Sequence, residues 1–175
     1  NLGLFLQADD VHEFSSVIAH ELAHLSQRHF ARRVEERRSG SLTTMASMIA
    51  GLLIGAAGGT DAALATISLA QAASQGNQLR YSREREIEAD RIGLATMVNA
   101  GLDPNGASRM FERMQRAYRF TRRPPEFLLT HPLSETRIAD AKNQARSYPT
   151  KEPKKSIAFQ MMKVKVESLY ETNPI

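Results

Sequence analysis

The stretch SSVIAHELAHLSQRHF (residues 15–30) places three histidines and a glutamate in one strongly helical segment. His20 and His24 are four residues apart, so on an α-helix their side chains point to the same side, about 40° apart. Two imidazoles in this arrangement can bind one metal ion, and Glu21 lies where its carboxylate can act as a general base. Apolar neighbours such as Val17 favour a buried role for these histidines, because polar groups are buried only with partners. The segment therefore predicts half of a metal site.

The third histidine of this stretch is expected to lie outside the site. The helix is predicted to continue to Arg38, and His29 would then lie about 180° from His20 around the helix axis. The stretch also does not continue as a metzincin motif. Gln27 stands where that class has glycine, and Phe30 stands where it has a third histidine. The metzincin class is thereby excluded.

A third protein ligand is expected from REREIEADR, residues 83–91. Glu86 and Asp90 are four residues apart and share one face of a predicted helix. We predict that Glu86 is a metal ligand and that Asp90 orients a metal-bound histidine without binding the metal itself. Glu84 and Glu88 point elsewhere and are expected to form surface ion pairs.

His131 lies in the sequence THPLSETR, on a predicted loop immediately before a proline. Two functional roles are open for this imidazole: it can stabilise the oxyanion of a tetrahedral intermediate, or it can be a fourth metal ligand that keeps an enzyme latent. A third interpretation is structural, with His131 capping the helix that follows. The sequence does not decide among them.

The composition limits the kind of metal site and the kind of partner. The chain has 175 residues and no cysteine, so a zinc ion would be bound by histidine and carboxylate alone. The formal charge of +4 comes from arginine-rich stretches such as ARRVEERR at residues 31–38. This stretch alternates in sign and carries no nucleic-acid signature, so a solvated helix face or an anionic membrane surface is favoured over nucleic acid.

The expected fold is mainly α, of the α+β zincin-like kind, with one short edge strand or small sheet. The strand is predicted for NLGLFL (residues 1–6), whose exposed edge would bind an extended substrate. Residues 42–75 are predicted to form an apolar helical hairpin. Its fully apolar core, residues 45–57, is shorter than the ~20 residues that a bilayer-spanning helix needs. It is interpreted as core, as a lid or as a membrane-facing hairpin.

The predicted domain organisation has three parts. Residues 1–147 form a zinc metallopeptidase domain, whose N-terminal part would precede this chain. Residues 148–155 (YPTKEPKK) form a linker, because they contain two prolines and four charged side chains. Residues 156–175 begin a truncated helical-repeat domain, because their apolar side chains have nothing local to pack against.

The paired motifs HELAH and EIEAD are similar to those of gluzincin-type zinc metallopeptidases of the HtpX and CaaX-protease superfamily. The resemblance extends over most of residues 1–147 and includes THPLSETRI. It implies a zinc-dependent endopeptidase with one Zn²⁺ per chain, bound by His20, His24 and Glu86. In the periplasmic relatives that it points to, the peptidase domain is followed by tetratricopeptide repeats.

The resemblance also implies a cellular role. The expected location is the periplasm of a Gram-negative bacterium, with a signal peptide outside this chain. The expected substrates are misfolded or stalled outer-membrane proteins, and the outer-membrane β-barrel assembly machinery is an expected partner. Peripheral membrane contact would involve residues 42–75. The alternatives are an inner-membrane-associated housekeeping protease and a non-enzymatic chaperone or scaffold with a structural zinc.

Overall fold

The computed structural model describes residues 2–57, 59–119, 126–149 and 156–172. Within these ranges all regular structure is helical: α1 (Leu2–Gln7), α2 (Val11–Ser26), α3 (His29–Ala56), α4 (Thr60–Asn99), α5 (Asn105–Tyr118), α6 (Glu126–Thr130), α7 (Glu135–Ala145) and α8 (Ile157–Thr172). The prediction of a mainly α fold is confirmed. The predicted strand is wrong, since the described ranges contain no strand.

The apolar segment that was predicted as a strand is helix α1. Short apolar runs do not distinguish a strand from a buried helix, and packing decides between them. Here the ring centre of Phe5 lies 4.7 Å from the ring centre of Phe14 and 4.8 Å from that of Phe159. These contacts hold α1 between α2 and α8. The expected edge for β-pairing with a substrate is therefore absent from the described part of the chain.

The helix that carries the three histidines ends earlier than predicted. The predicted helix to Arg38 is broken at Arg28, which adopts a left-handed conformation with φ 55° and ψ 35°. The amide of Arg28 donates a hydrogen bond to the carbonyl of Leu25 in a tight turn, and α3 begins at the next residue. Neither glycine nor proline marks this break, so the sequence gives no local signal for it.

The described chain divides into two compact units. The first unit comprises residues 1–23 and 87–175, and its core is formed by buried side chains from several helices: Ala8, Val17, Met110, Phe111, Met114, Ile138, Ala141 and Phe159. Phe159 belongs to α8, and Lys163 of the same helix donates a hydrogen bond of 2.8 Å to the carbonyl of Ala8. Helix α8 thus packs on the first unit through Phe159. The apolar side chains that were predicted to have nothing local to pack against are exposed: Ile157, Met161, Val164 and Leu169. Residues 150–155 of the predicted linker lie outside the described residues.

The second unit comprises residues 24–86, and most of it is the helical hairpin of α3 and the first half of α4. The two helices approach closely at Gly51, where an added Cβ atom would lie 2.8 Å from Cγ1 of Ile67. The large apolar side chains nevertheless point outward, and Leu52 is 69% exposed. The interpretation of these helices as core is therefore wrong. By length and composition, α3 alone among the described helices could cross a membrane.

An ion-pair network anchors the start of α5 in the first unit. The side chain of Asp103 is buried and accepts a hydrogen bond of 2.7 Å from Nη1 of Arg109. Burial by itself raises the pKa of Asp103, but the hydrogen bonds from Arg109 and Asn105 outweigh burial and lower the pKa below its ordinary value of 3.8. Because the folded-state pKa is the lower one, the charged form of Asp103 stabilises the fold above the unfolded-state pKa.

The stabilisation of the fold by the charged form of Asp103 should disappear in acid. We expect Asp103→Asn to lower the free energy of unfolding by about 1–3 kcal/mol at neutral pH, because the Arg109 guanidinium loses the nearest of its carboxylate partners and keeps those of Asp10 and Glu13. The difference between wild type and variant should shrink as the pH falls through the folded-state pKa of Asp103. Urea unfolding at neutral pH and at about pH 3 measures both values. A difference that stays constant with pH would contradict this account.

Candidate metal centre

The first half of the candidate site surrounds His20 in the first unit. His20 is buried, and its Nδ1 atom lies 2.9 Å from Oδ1 of Asp90. Asp90 in turn accepts two hydrogen bonds from the guanidinium of Arg137, at 2.7 Å and 2.8 Å. Arg137 also donates a hydrogen bond of 2.8 Å to the carbonyl of Pro132, next to His131. The carboxylate and the arginine thus fix the ring of His20 so that Nδ1 faces Asp90.

Arg137 was not singled out by the sequence analysis. It is buried, and its guanidinium lies 5.2 Å from the ring centre of Phe111. A buried arginine needs a carboxylate partner, and the sequence indicated this pair only through Asp90, an acid that was predicted to orient a metal-bound histidine. Arg137 lies on α7, the helix that follows the His131 loop, and its guanidinium is the cation that pairs with Asp90.

Helix α4 comes close to the backbone of α2 directly at His20. A Cβ atom added to Gly93 would lie 3.0 Å from the amide nitrogen of His20 and 3.1 Å from the carbonyl carbon of Ala19. Because these are backbone atoms of a helix, they cannot move aside as a side chain would. Gly93 therefore sets the distance at which Asp90, one turn earlier on α4, meets His20.

We expect Gly93→Ala to push the two helices apart at the site. The free energy of unfolding should fall by about 1–3 kcal/mol, as is typical of overpacked interiors, and metal affinity should fall with it. Gly76→Ala is the matched control on α4, since an added Cβ atom there meets nothing within 4 Å. That control should gain up to about 1 kcal/mol from the helix propensity of alanine. Thermal unfolding and metal titration of both variants test this. Equal stability of the two would refute the close-packing argument.

His131 lies beside both His20 and Glu21. Its Nδ1 atom is 3.4 Å from Nε2 of His20, and its Nε2 atom is 3.4 Å from Oε1 of Glu21. The ring stacks on Phe127, with ring centres 4.9 Å apart. The loop thus directs His131 toward the motif on α2, as the sequence analysis expected for either functional role.

The second half of the candidate site lies in the second unit. Nε2 of His24 is 3.4 Å from Oε1 of Glu86, and Glu86 is only 3% exposed. Glu84, on the same helix, is instead exposed, and its carboxylate pairs with Arg80 at 2.8 Å. The structure thus brings the predicted ligand Glu86 to a histidine of the motif and leaves Glu84 on the surface, as predicted.

The expectation that His29 faces away from the site is wrong. Nδ1 of His29 lies 2.7 Å from Nδ1 of His24, and His29 is 1% exposed. The reason is the break at Arg28, which turns the start of α3 back toward the end of α2. The rotation of about 180° between His20 and His29 holds only on a continuous helix, so it does not apply across this break.

The motif on α2 links these contacts. His20 and His24 are one turn apart on this continuous helix, and each is met there by a carboxylate from α4, Asp90 and Glu86 respectively. In the first unit His20 lies beside His131, and in the second unit His24 lies beside Glu86. Imidazoles and carboxylates are side chains that can hold a metal ion.

A helical domain with HExxH on one helix and a carboxylate ligand candidate on another has the arrangement of a metallopeptidase. The comparison with known families agrees. The model of peptidase family M48 matches residues 1–145, and the chain belongs to this family. The predicted superfamily is confirmed.

The curated relatives carry two kinds of name. The Escherichia coli (strain K12) "Beta-barrel assembly-enhancing protease" is 32% identical over 169 residues, which are 97% of this chain and 34% of the relative. A Vibrio cholerae protein given the same name provisionally is 45% identical over 147 residues, 84% of this chain and 30% of that protein. The "Mitochondrial metalloendopeptidase OMA1" of Schizosaccharomyces pombe is 34% identical over 124 residues, 71% of this chain and 34% of that protein. The chain spans about a third of the length of these relatives.

Proposed function

We propose that the protein is a zinc-dependent endopeptidase that binds about one Zn²⁺ per chain through His20, His24 and Glu86. The observation that carries the proposal is the HExxH helix, on which His20 meets Asp90 and His24 meets the buried Glu86, in a chain that belongs to peptidase family M48. Two imidazoles and a carboxylate, with one further position, form a donor set that suits catalytic zinc. When bound, zinc supplies Lewis-acid activation of water and of a peptide carbonyl.

Glu21 is the general base of the proposed reaction. Its side chain lies between the two histidines of the motif and is 44% exposed, but its Oε1 atom, which faces His131, is buried. The carboxylate takes the proton of the attacking water and then delivers it to the leaving amine. Asp90 and Arg137 act on the reaction only through His20, whose ring they hold in place.

His131 is proposed as a latch that occupies the fourth position at rest. Support comes from two approaches of 3.4 Å, of its Nδ1 atom to Nε2 of His20 and of its Nε2 atom to Oε1 of Glu21. While the ring remains there, it blocks both the open position and the base, and movement of the loop exposes them.

We expect His131→Ala to raise the rate of casein cleavage several-fold, because the variant cannot adopt the latched state. The zinc content should remain at about one ion per chain, since three protein ligands suffice for a catalytic site. A peptidase assay with parallel metal analysis measures both. A fall in activity at unchanged zinc content would instead favour the oxyanion-stabilising role.

The cellular role is proposed from the names of the relatives. Two of them are named for the enhancement of β-barrel assembly, and one of these is from Escherichia coli. We propose that the whole protein acts in the periplasm of a Gram-negative bacterium on misfolded or stalled outer-membrane proteins. The β-barrel assembly machinery is its proposed partner. In this proposal, residues 1–147 are the peptidase domain, and residues 156–175 begin a helical-repeat domain.

Peripheral membrane contact through residues 42–75 is a further part of this proposal. The support is the exposed apolar surface of the hairpin, which includes Leu52 and Leu53, and the composition of α3. Arginines at 32, 33, 37 and 38 precede the apolar part of α3 in the sequence and are the side chains proposed to bind anionic headgroups.

Fractionation of cells that express the full-length protein tests the location. Wild type is expected in the periplasmic fraction with a membrane-associated share, and a variant with aspartate at positions 52 and 53 should lose that share. A stalled barrel precursor should accumulate in cells that carry Glu21→Gln. Extraction of wild type only with detergent would favour the inner-membrane housekeeping protease, and an unchanged precursor level would contradict the substrate class.

A further inference from the structure

We propose that His29 is a positioning residue that fixes the tautomer and orientation of His24 for metal binding through Nε2. This inference rests on the proposed function, because it concerns the same zinc site. His29 is nearly fully buried at the start of α3 and lies five residues after His24. The role belongs to the second unit alone, in which His24, His29 and Glu86 all lie.

The short distance between the Nδ1 atoms of His24 and His29 requires a hydrogen bond between them. The two Nδ1 atoms are 2.7 Å apart, and two unprotonated nitrogens would repel each other at this distance. One ring must therefore donate and the other must accept. The rings are also nearly perpendicular, with an interplanar angle of 80°, so the contact is made at the ring edge rather than by stacking.

Metal binding decides the direction of this hydrogen bond. Nε2 of His24 is the atom that faces Glu86, at 3.4 Å, so it is the nitrogen on the side of the candidate ligands. A neutral imidazole that binds metal through Nε2 carries its proton on Nδ1. His24 must then donate from Nδ1 to Nδ1 of His29, and the proton of neutral His29 lies on its Nε2. With the opposite direction, His24 would carry its proton on Nε2 and could not bind a metal there.

The two histidines of the motif would then be held in the same way by different groups. His20 has the carboxylate of Asp90 at its Nδ1 atom, and His24 has the imidazole of His29 at its Nδ1 atom. Such outer contacts orient metal-bound histidines, and their removal typically costs about 10–100-fold in metal affinity. The left-handed turn at Arg28 is what brings His29 to this place.

Two substitutions at position 29 separate hydrogen bonding from packing. His29→Phe keeps a ring of similar size but has no acceptor, so we expect it to weaken zinc binding by about 10–100-fold. His29→Gln keeps an acceptor oxygen and is expected to restore most of the affinity. His12→Phe is the control, because His12 is also buried and its Nδ1 atom accepts a hydrogen bond from the Asp103 amide, away from the motif. The affinity of this control for zinc should equal that of wild type.

The measurement is chelator competition for zinc on the full chain, with thermal unfolding of each metal-free variant. The inference alone is overturned if wild type binds zinc and His29→Phe binds it equally well, or if His12→Phe loses as much affinity. Failure of wild type to bind zinc would overturn the proposed function and this inference together.

Nitrogen NMR of the imidazoles in zinc-loaded wild type tests the same point should His29→Phe not fold. A proton on Nδ1 of His24 with the metal on Nε2 supports the assignment. Metal on Nδ1 of His24 overturns it.

Discussion

Glu21→Gln is expected to lose casein-degrading activity by about 10²–10⁴-fold while it still binds about one zinc ion per chain. Glutamine has nearly the shape of glutamate, but its amide cannot accept the proton of the attacking water. Glu21 is not one of the proposed metal ligands, so metal binding should be unaffected. A steady-state cleavage assay with metal analysis on the same sample measures both quantities.

The matched control for this variant is Glu35→Gln, which makes the same chemical change at an exposed position on α3. It should keep full activity and zinc content. Retention of activity by Glu21→Gln would refute the role of general base. Loss of zinc from Glu21→Gln would instead show that this carboxylate is a ligand. A scaffold with a structural zinc would have no activity to lose in either variant.

Glu86→Gln is expected to weaken zinc binding by more than about 100-fold. Removal of a group that contacts only a metal ligand typically costs about 10–100-fold, and loss of a ligand itself should cost more. The carboxylate of Glu86 is 3% exposed and faces Nε2 of His24, so its charge is available to a cation bound there. The neutral amide of glutamine is a much poorer zinc ligand than a carboxylate.

The same substitution should leave the stability of the metal-free chain about unchanged, because glutamine has nearly the shape of glutamate and carries no charge to bury. Glu84→Gln is the control, since Glu84 lies on the same helix but is exposed and paired with Arg80. Chelator competition measures the zinc affinity, and thermal unfolding without metal measures the stability of the metal-free chain. A loss of metal-free stability in Glu86→Gln with unchanged zinc affinity would mean that Glu86 is a structural residue.

The regular spacing of the motifs explains which parts of the site could be predicted. Residues four apart on one helix share a face whatever the fold, so His20 with His24 and Glu86 with Asp90 could be paired from sequence. The structure places Asp90 at His20 and Glu86 at His24. This correspondence depends on the close approach of α4 to α2 at Gly93, which a periodicity argument does not contain.

The errors arose where tertiary contacts override local pattern. His29 was placed on the far side of a continuous helix, but Arg28 adopts a left-handed conformation that its residue type does not favour. Phe5 lies in a run whose pattern fits a strand, yet its packing on Phe14 and Phe159 holds it in a helix. Arg137 could not be found from the sequence, because its partner Asp90 is 47 residues away.

Titration of zinc into the metal-free wild-type chain, followed by casein cleavage, tests the central claim most directly. The account predicts that activity is absent without metal, rises in proportion to added zinc and reaches its plateau at about one ion per chain. Cleavage by the metal-free chain, or a chain that binds one zinc ion and cleaves nothing even with His131→Ala, would contradict the assignment of a zinc endopeptidase.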